Sequence, residues 1–251
     1  MWHRRLRHAN WRLISKLSKL QLVKGLPNID YHSDALCGAC QKGKIVKSSF
    51  KTKDIVSTSR PLELLHIDLF GPVNIASLYG NKYGLVIVDD YSRVKFLRSK
   101  DNAYDVFSNF CTQIQSEKEM KILKVRSDHG GEFENAPFET FCEKHGIIHE
   151  FSSPRTPQQN GVVERKNRTL QEMVRTMIHE NNLAKHLWAE VVNTTCYVQN
   201  RIYIRPILEK TTYELFKGRR PNISYFHQFG CTCYILNNKL DLKKFDAKAQ
   251  R

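Results

Sequence analysis

Hydrophobic and polar positions along the chain change period several times, and each change marks an element. Between Asn10 and Val23, Leu13, Leu17, Leu20 and Val23 recur at helical spacing among Lys and Arg, and Gly25-Leu-Pro-Asn28 breaks the run. Five short apolar runs then read as strands: Leu62 to Asp68, Tyr83 to Asp90, Val94 to Leu97, Ile122 to Asp128 and Ile147 to Phe151. Helical spacing returns between them. Ala103, Val106, Phe110 and Ile114 form one apolar stripe, and Phe138, Phe141 and Cys142 a second that stops at Gly146. A third, Val163, Leu170, Val174 and Met177, follows the Pro/Gly/Asn-rich loop Ser153 to Gly161. Three strands, helix, strand, helix, strand, helix is the order of an α/β mixed sheet with helices on both faces. Beyond Asn182 the pattern predicts a helix from Lys185 to about Asn200, with Trp188, Val191, Val192 and Tyr197 as its apolar members. It also predicts a Thr-capped helix at Thr211–Phe216 and a strand from Phe229 to Leu236.

Charge changes this picture. Forty Lys and Arg against 25 Asp and Glu give a net charge of +15, which points to a polyanionic partner. No acid precedes Asp30, whereas Arg4, Arg5, Arg7, Arg12, Lys16, Lys19 and Lys24 do. The 251 residues leave room for one sizeable domain with smaller appendages. No apolar run reaches the length of a membrane span, and the N-terminus lacks the apolar segment of a secretory signal. Seven cysteines, an odd number, fit a reducing compartment better than a disulfide framework.

Three acids stand apart. Asp68 and Asp128 each end a predicted strand, and Glu164 lies in the first turns of the third helix. On that helix Asn160, Glu164 and Arg168 share a face with Gln171 beside it, opposite the apolar stripe. Fifty-nine residues separate Asp68 from Asp128, and thirty-five separate Asp128 from Glu164. Asp89 and Asp90 are a second acidic pair, but neighbours on a strand point to opposite faces, so they read as structural. With His66-Ile-Asp-Leu-Phe-Gly-Pro72, Arg126-Ser-Asp-His-Gly-Gly-Glu-Phe133 and Gln158-Gln-Asn-Gly-Val-Val-Glu-Arg165, the chain resembles the retroviral-type integrase family. The closest match is the integrase region of copia-type retrotransposon polyproteins.

At the N-terminus His3, His8, Cys37 and Cys40 supply a His pair and a Cys-x2-Cys pair, a donor set for tetrahedral zinc. The pattern resembles the zinc-binding segment that precedes copia-type integrase cores, with one departure: Arg7 stands where that family usually has glycine. If the position requires positive φ, Arg7 strains it. His32 is a substitute candidate ligand. From Gln41 to Arg60 a Lys, Ser and Thr-rich stretch reads as a linker. The divisions are then a zinc-binding helical domain at 1–50, a core at 61–181 and an extension at 182–251. Cys231 and Cys233, too close for a zinc pair, read as packing residues.

The resemblance implies a ribonuclease H-like five-stranded sheet whose three acids hold two Mg²⁺ (or Mn²⁺) ions, with Asp68 bridging and Asp128 and Glu164 each holding one. It implies trimming and joining of double-stranded DNA ends by a homo-oligomer that works in the nucleus, with Asn160, Arg168 and Gln171 as contacts to the DNA end. It further implies a reading frame that continues beyond both ends of this chain. An idle nucleic-acid-binding remnant and a ribonuclease H-type hydrolase remain alternatives. The thirty-five-residue interval and the Gln-Gln-Asn-Gly loop favour the integrase over the hydrolase.

Overall fold

The computed structural model describes residues 2–28, 37–44, 58–99, 103–152, 161–237 and 249–250, and at 97–99, 161–162, 164–165 and 250 the backbone only. The chain opens with helices α1 (Trp2–Arg5) and α2 (Trp11–Lys19). Asn10 starts α2 because its side chain accepts the Arg12 N–H, one of the donors a helix start leaves unpaired. The buried stripe of α2 is Ile14, Leu17 and Ser18. Leu20, counted inward from its spacing, is exposed because the helix has already ended at Lys19. Helix α3 (Gly38–Gly43) takes in the first three residues, Gln41 to Gly43, of the stretch read as linker. Residues 45–57 and His32 lie outside the described residues.

The central sheet comprises β1 (Leu64–Phe70), β2 (Gly84–Asp89), β3 (Lys95–Ser99), β4 (Lys124–Ser127) and β5 (Ile148–Phe151). Helices α4 (Ala103–Lys118) and α5 (Ala136–His145) fall between the later strands, and α6 (Gly161–Glu180) follows them. The sheet order is β3-β2-β1-β4-β5. The first three strands are antiparallel, while β1, β4 and β5 run parallel, so the sheet is mixed as the element order requires. Gly146 ends α5 in the left-handed conformation at φ 65°, where glycine carries no Cβ penalty.

Alternation along the strands sorts the side chains by face. Leu65, Ile67, Leu85, Ile87 and Val125 join Phe107, Phe110 and Ile114 of α4 and Phe138 and Phe141 of α5 in the main core. Phe107 stacks on Phe138 with ring centroids 4.9 Å apart. Ala103, Phe110 and Ile114 are buried on α4 as their spacing implies; Val106 is only partly covered, and Phe107 and Cys111 join the buried face. The opposite face is less apolar. It presents His66 and Asp68, paired across the ladder with Val88 and Val86, and Val163 of α6 packs on those two valines.

The rest of the chain wraps this second face. Helix α7 (Trp188–Ile202), entered through a 3-10 turn at Lys185–Leu187, packs Trp188, Val191, Val192 and Cys196 against Leu170, Val174 and Met177 of α6. Tyr197, expected among its apolar contacts, is 42% exposed and meets the Tyr225 hydroxyl at 2.7 Å. The hairpin β6 (Ile204–Arg205) and β7 (Lys210–Thr211) leads into α8 (Thr212–Lys217), which Thr211 caps as expected. Leu6, Ile14 and Leu17 share a core with Val198, Ile202, Ile204, Ile223 and Phe226, so the N-terminal helices pack against α7 and the segment that follows it. The strand expected from Phe229 shrinks to β8 (Ile235–Leu236), paired with β9 (Ala249–Gln250). Residues 229–234 join no sheet, and Cys231 and Cys233 are exposed rather than packed.

Helices α3 and α6 touch with almost no space between them. A Cβ on Gly43 would come 2.3 Å from Thr176 Oγ1 and 2.8 Å from its Cα. Gly43→Ala should therefore force the helices apart and destabilise the chain by about 1–3 kcal/mol, read as a lower urea midpoint with an unchanged slope.

Candidate functional site

Asp68 lies on the α6-facing side of β1 and is partly buried. The Asn167 side chain, from the second turn of α6, donates through Nδ2 to Asp68 Oδ2 at 2.5 Å. Asp128 is the first residue past β4 and is exposed. Its Oδ1 accepts the Gly130 N–H at 3.2 Å, which turns the chain away from the sheet as a short polar side chain commonly does. The parallel register pairs Leu64 with Lys124 and His66 with Arg126. Continued two residues, it sets position 128 level with position 68, at a strand spacing of about 4.8 Å and on the same face.

Glu164 stands in the first turn of α6, one residue after buried Val163 and three before Asn167. Positions three apart share a helix side, so the backbone brings position 164 to the flank from which Asn167 reaches Asp68. Arg168 and Gln171 are exposed on the same helix, while Asn160 and the loop before it lie outside the described residues. Asp89 and Asp90 take structural roles. Asp89 accepts from Leu62 N–H, Ser92 N–H and the Ser92 hydroxyl at 2.7, 2.8 and 2.5 Å, and burial pushes its carboxyl up. Asp90 accepts from the Thr58 hydroxyl and pairs with Arg93, 3.0 and 2.9 Å away, and it contacts His66.

The N-terminal donors converge. One ligand atom from each of His3, His8, Cys37 and Cys40 lies within 4.8 Å of the others. The two imidazoles meet as His8 Nδ1 and His3 Nε2 at 3.2 Å. Cys40 Sγ is 3.3 Å from His3 Nε2, and the sulfurs of Cys37 and Cys40 are 3.5 and 3.6 Å from His8 Nδ1. A tetrahedron with Zn–N near 2.1 Å and Zn–S near 2.3 Å has edges of about 3.4–3.8 Å, close to these separations, so the residues fit zinc. The outer nitrogens also have partners: His3 Nδ1 meets Ala9 O at 2.9 Å, and His8 Nε2 meets Glu180 Oε2 at 2.5 Å. Burial lowers both imidazoles, His3 to about 4, which keeps them neutral and able to ligate. The Cys40 thiol is pushed up to about 11 by burial, so a bound cation must displace its proton.

Arg7 adopts φ 56° and His8 φ 58°, so the departure from glycine does sit in left-handed backbone. That turn brings His8 back beside His3, with His8 N–H donating to His3 O at 2.8 Å. Arg7 is buried. Its Nη1 donates to His227 O at 3.1 Å, its guanidinium lies 5.5 Å from the Phe229 ring, and burial lowers it to about 10. Residues 227–229 thus hold in place the side chain that glycine would lack. Reading the sequence missed two contributors. Asn167 carries a usable signal, its position three residues after Glu164. Glu180 carries none, being 172 residues from the histidine it touches.

A mixed five-stranded sheet in this order, with one acid within β1, a second just past the end of the neighbouring β4 and the helix that carries the third laid alongside, is the ribonuclease H-like architecture. Residues 58–157 match the integrase core domain family and residues 1–45 the GAG-pre-integrase domain family, bearing out the resemblance to the integrase region of copia-type retrotransposon polyproteins. The chain is 35% identical over 99% of its length to the retrovirus-related Pol polyprotein from transposon TNT 1-94 of Nicotiana tabacum. It is 28% identical over its whole length to that from transposon RE2 of Arabidopsis thaliana. It spans only 19% and 17% of those relatives. Among solved structures, it resembles a chain of the simian T-cell lymphotropic virus intasome in complex with PP2A regulatory subunit B56 gamma, at a TM-score of 0.53 and 18% identity. That match covers 73% of this chain and 64% of the other and bears on the fold. No helix among the described residues is long and apolar enough to cross a membrane.

The cluster should bind one zinc per chain, measured by elemental analysis of purified protein. Cys37→Ser should lose it, whereas Cys233→Ser, at an exposed position, should keep it. Occupancy should fall as pH drops, because protons compete for the thiolates.

Proposed function

We propose that this chain is the catalytic segment of an integrase that trims DNA 3′ ends and joins them to a target duplex. The observation that carries the reading is the register of β1 and β4, with position 128 level with Asp68 and Asn167 tying Asp68 to the helix of Glu164. Asp68, Asp128 and Glu164 supply hard oxygen donors, which suit Mg²⁺ or Mn²⁺ better than zinc. When bound, two such ions would activate an attacking water or 3′-hydroxyl and stabilise the leaving oxygen of an in-line displacement. The protein's own part is positioning. Asn167 fixes the Asp68 carboxylate, so one metal-binding oxygen does not have to find its orientation when substrate arrives. Exposed Arg168 and Gln171, with Asn160, would meet the phosphates of the DNA end. Site and target DNA together suggest work as a homo-oligomer in the nucleus.

A strand-transfer assay with Mg²⁺ on a blunt duplex tests this, with DNA binding followed in parallel. Wild type should yield joined product, and Glu164→Gln should bind DNA equally and yield none. Equal binding without product from either protein would instead indicate an idle nucleic-acid-binding remnant. Affinity should fall steeply with salt, and Arg168→Ala should lower the slope of log affinity against log salt by about one.

A further inference from the structure

The two ends of α6 meet different parts of the molecule. At its start, Val163 packs on Val86 and Val88, and Asn167 donates to Asp68. Its last turns form a wall of the Cys/His cluster. There Gly43 abuts Thr176, Arg175 Nη1 donates to Gly43 O at 3.4 Å, and Glu180 closes the helix. The Glu180 side chain is only 11% exposed, and it places Oε2 2.5 Å from His8 Nε2 and Oε1 2.9 Å from Arg4 Nε. Positions 164 and 180 are sixteen residues apart, about 24 Å along a helix at ~1.5 Å per residue.

An imidazole presents one nitrogen to a cation only when its other nitrogen holds the proton. In His8 the nitrogen that faces His3, Cys37 and Cys40 is Nδ1. The proton then belongs on Nε2, and Glu180 is its acceptor. His3 solves the same problem with a backbone carbonyl, that of Ala9. His8 instead depends on a side chain from the far end of the helix that carries Glu164. We propose that Glu180 is a positioning residue of the zinc centre: it presents His8 Nδ1 to the metal and so links zinc occupancy to the order of α6. The link to catalysis rests on the role proposed for Glu164, whereas the effect on zinc does not.

Zinc affinity of the full chain, by competition with a chromophoric chelator, tests the first half. Glu180→Ala should weaken zinc binding roughly tenfold to hundredfold. Glu180→Gln, which still accepts the proton but lacks the charge, should fall between Glu180→Ala and wild type. Arg4→Ala, which removes the other partner of the carboxylate, should change affinity less than threefold. Cobalt substituted for zinc should show shifted visible bands in Glu180→Gln while remaining tetrahedral, which a loss of folding would not produce. Glu180→Ala within threefold of wild type, or Arg4→Ala as damaging as Glu180→Ala, would overturn the assignment. For the second half, stripping zinc from wild type should speed hydrogen exchange along α6 into residues 161–170, and in Glu180→Ala exchange there should already be fast. No response at 161–170 in wild type would overturn the link. Absence of strand transfer would leave all of these readings unaffected.

Discussion

A partly buried carboxylate needs a partner, and at Asp68 that partner comes from another element. Asp68 sits on a strand between valine-bearing neighbours, where an unpaired charge would lose water and gain nothing in return. Asn167 answers it at 2.5 Å, and it can do so only if α6 lies across the sheet with its first turn beside β1. Val163 fixes the same placement by burial against Val86 and Val88. One hydrogen bond and one apolar contact, four residues apart on a helix, therefore decide where the third acid stands.

The sheet can carry this polar arrangement because its other face does the stabilising. The aromatic cluster of Phe107, Phe110, Phe138 and Phe141 buries the alternate strand positions and needs no polar group. Each such ring is worth roughly 3–5 kcal/mol against truncation. With that face secure, the second can keep His66 and Asp68 where an apolar layer would be more stable. The cost is met locally, with His66 contacting Asp90 and Asp68 contacting Asn167.

The N-terminal segment illustrates a different economy. Its two helices are short and mostly basic, and they complete a core only by sharing Val198, Ile202 and Phe226 with the end of the chain. Four converging metal donors would, with a bound cation, supply the cross-link that so few apolar residues cannot. The left-handed pair Arg7 and His8 makes the turn that closes the donor set. Arg7 is tolerated there because His227 and Phe229 receive its guanidinium. A side chain that reads as a defect in the sequence becomes an anchor for residues 227–229.

Alternation and helical spacing were enough to find five strands in order, the cap at Thr211 and the stop at Gly146, because these are local properties. The same spacing missed Phe107 on α4 and overcounted Leu20 and Tyr197, because a period gives a stripe but not the surface it meets. Phe229 to Tyr234 carries strand-like residues yet stays outside any sheet, since pairing requires an open edge and the sequence does not say whether one is within reach. His3, His8, Cys37 and Cys40 were legible from donor type and spacing together with the family resemblance. Their outer partner Glu180 was not, because contact between residues 172 apart is made by the packing of α6 against the N-terminal turn that carries His8, and no local pattern encodes it. The sequence by itself thus determined which elements form and which side chains can do chemistry. The tertiary structure alone decided which of them meet, since distance along a chain carries no information about distance in space once helices and strands have packed.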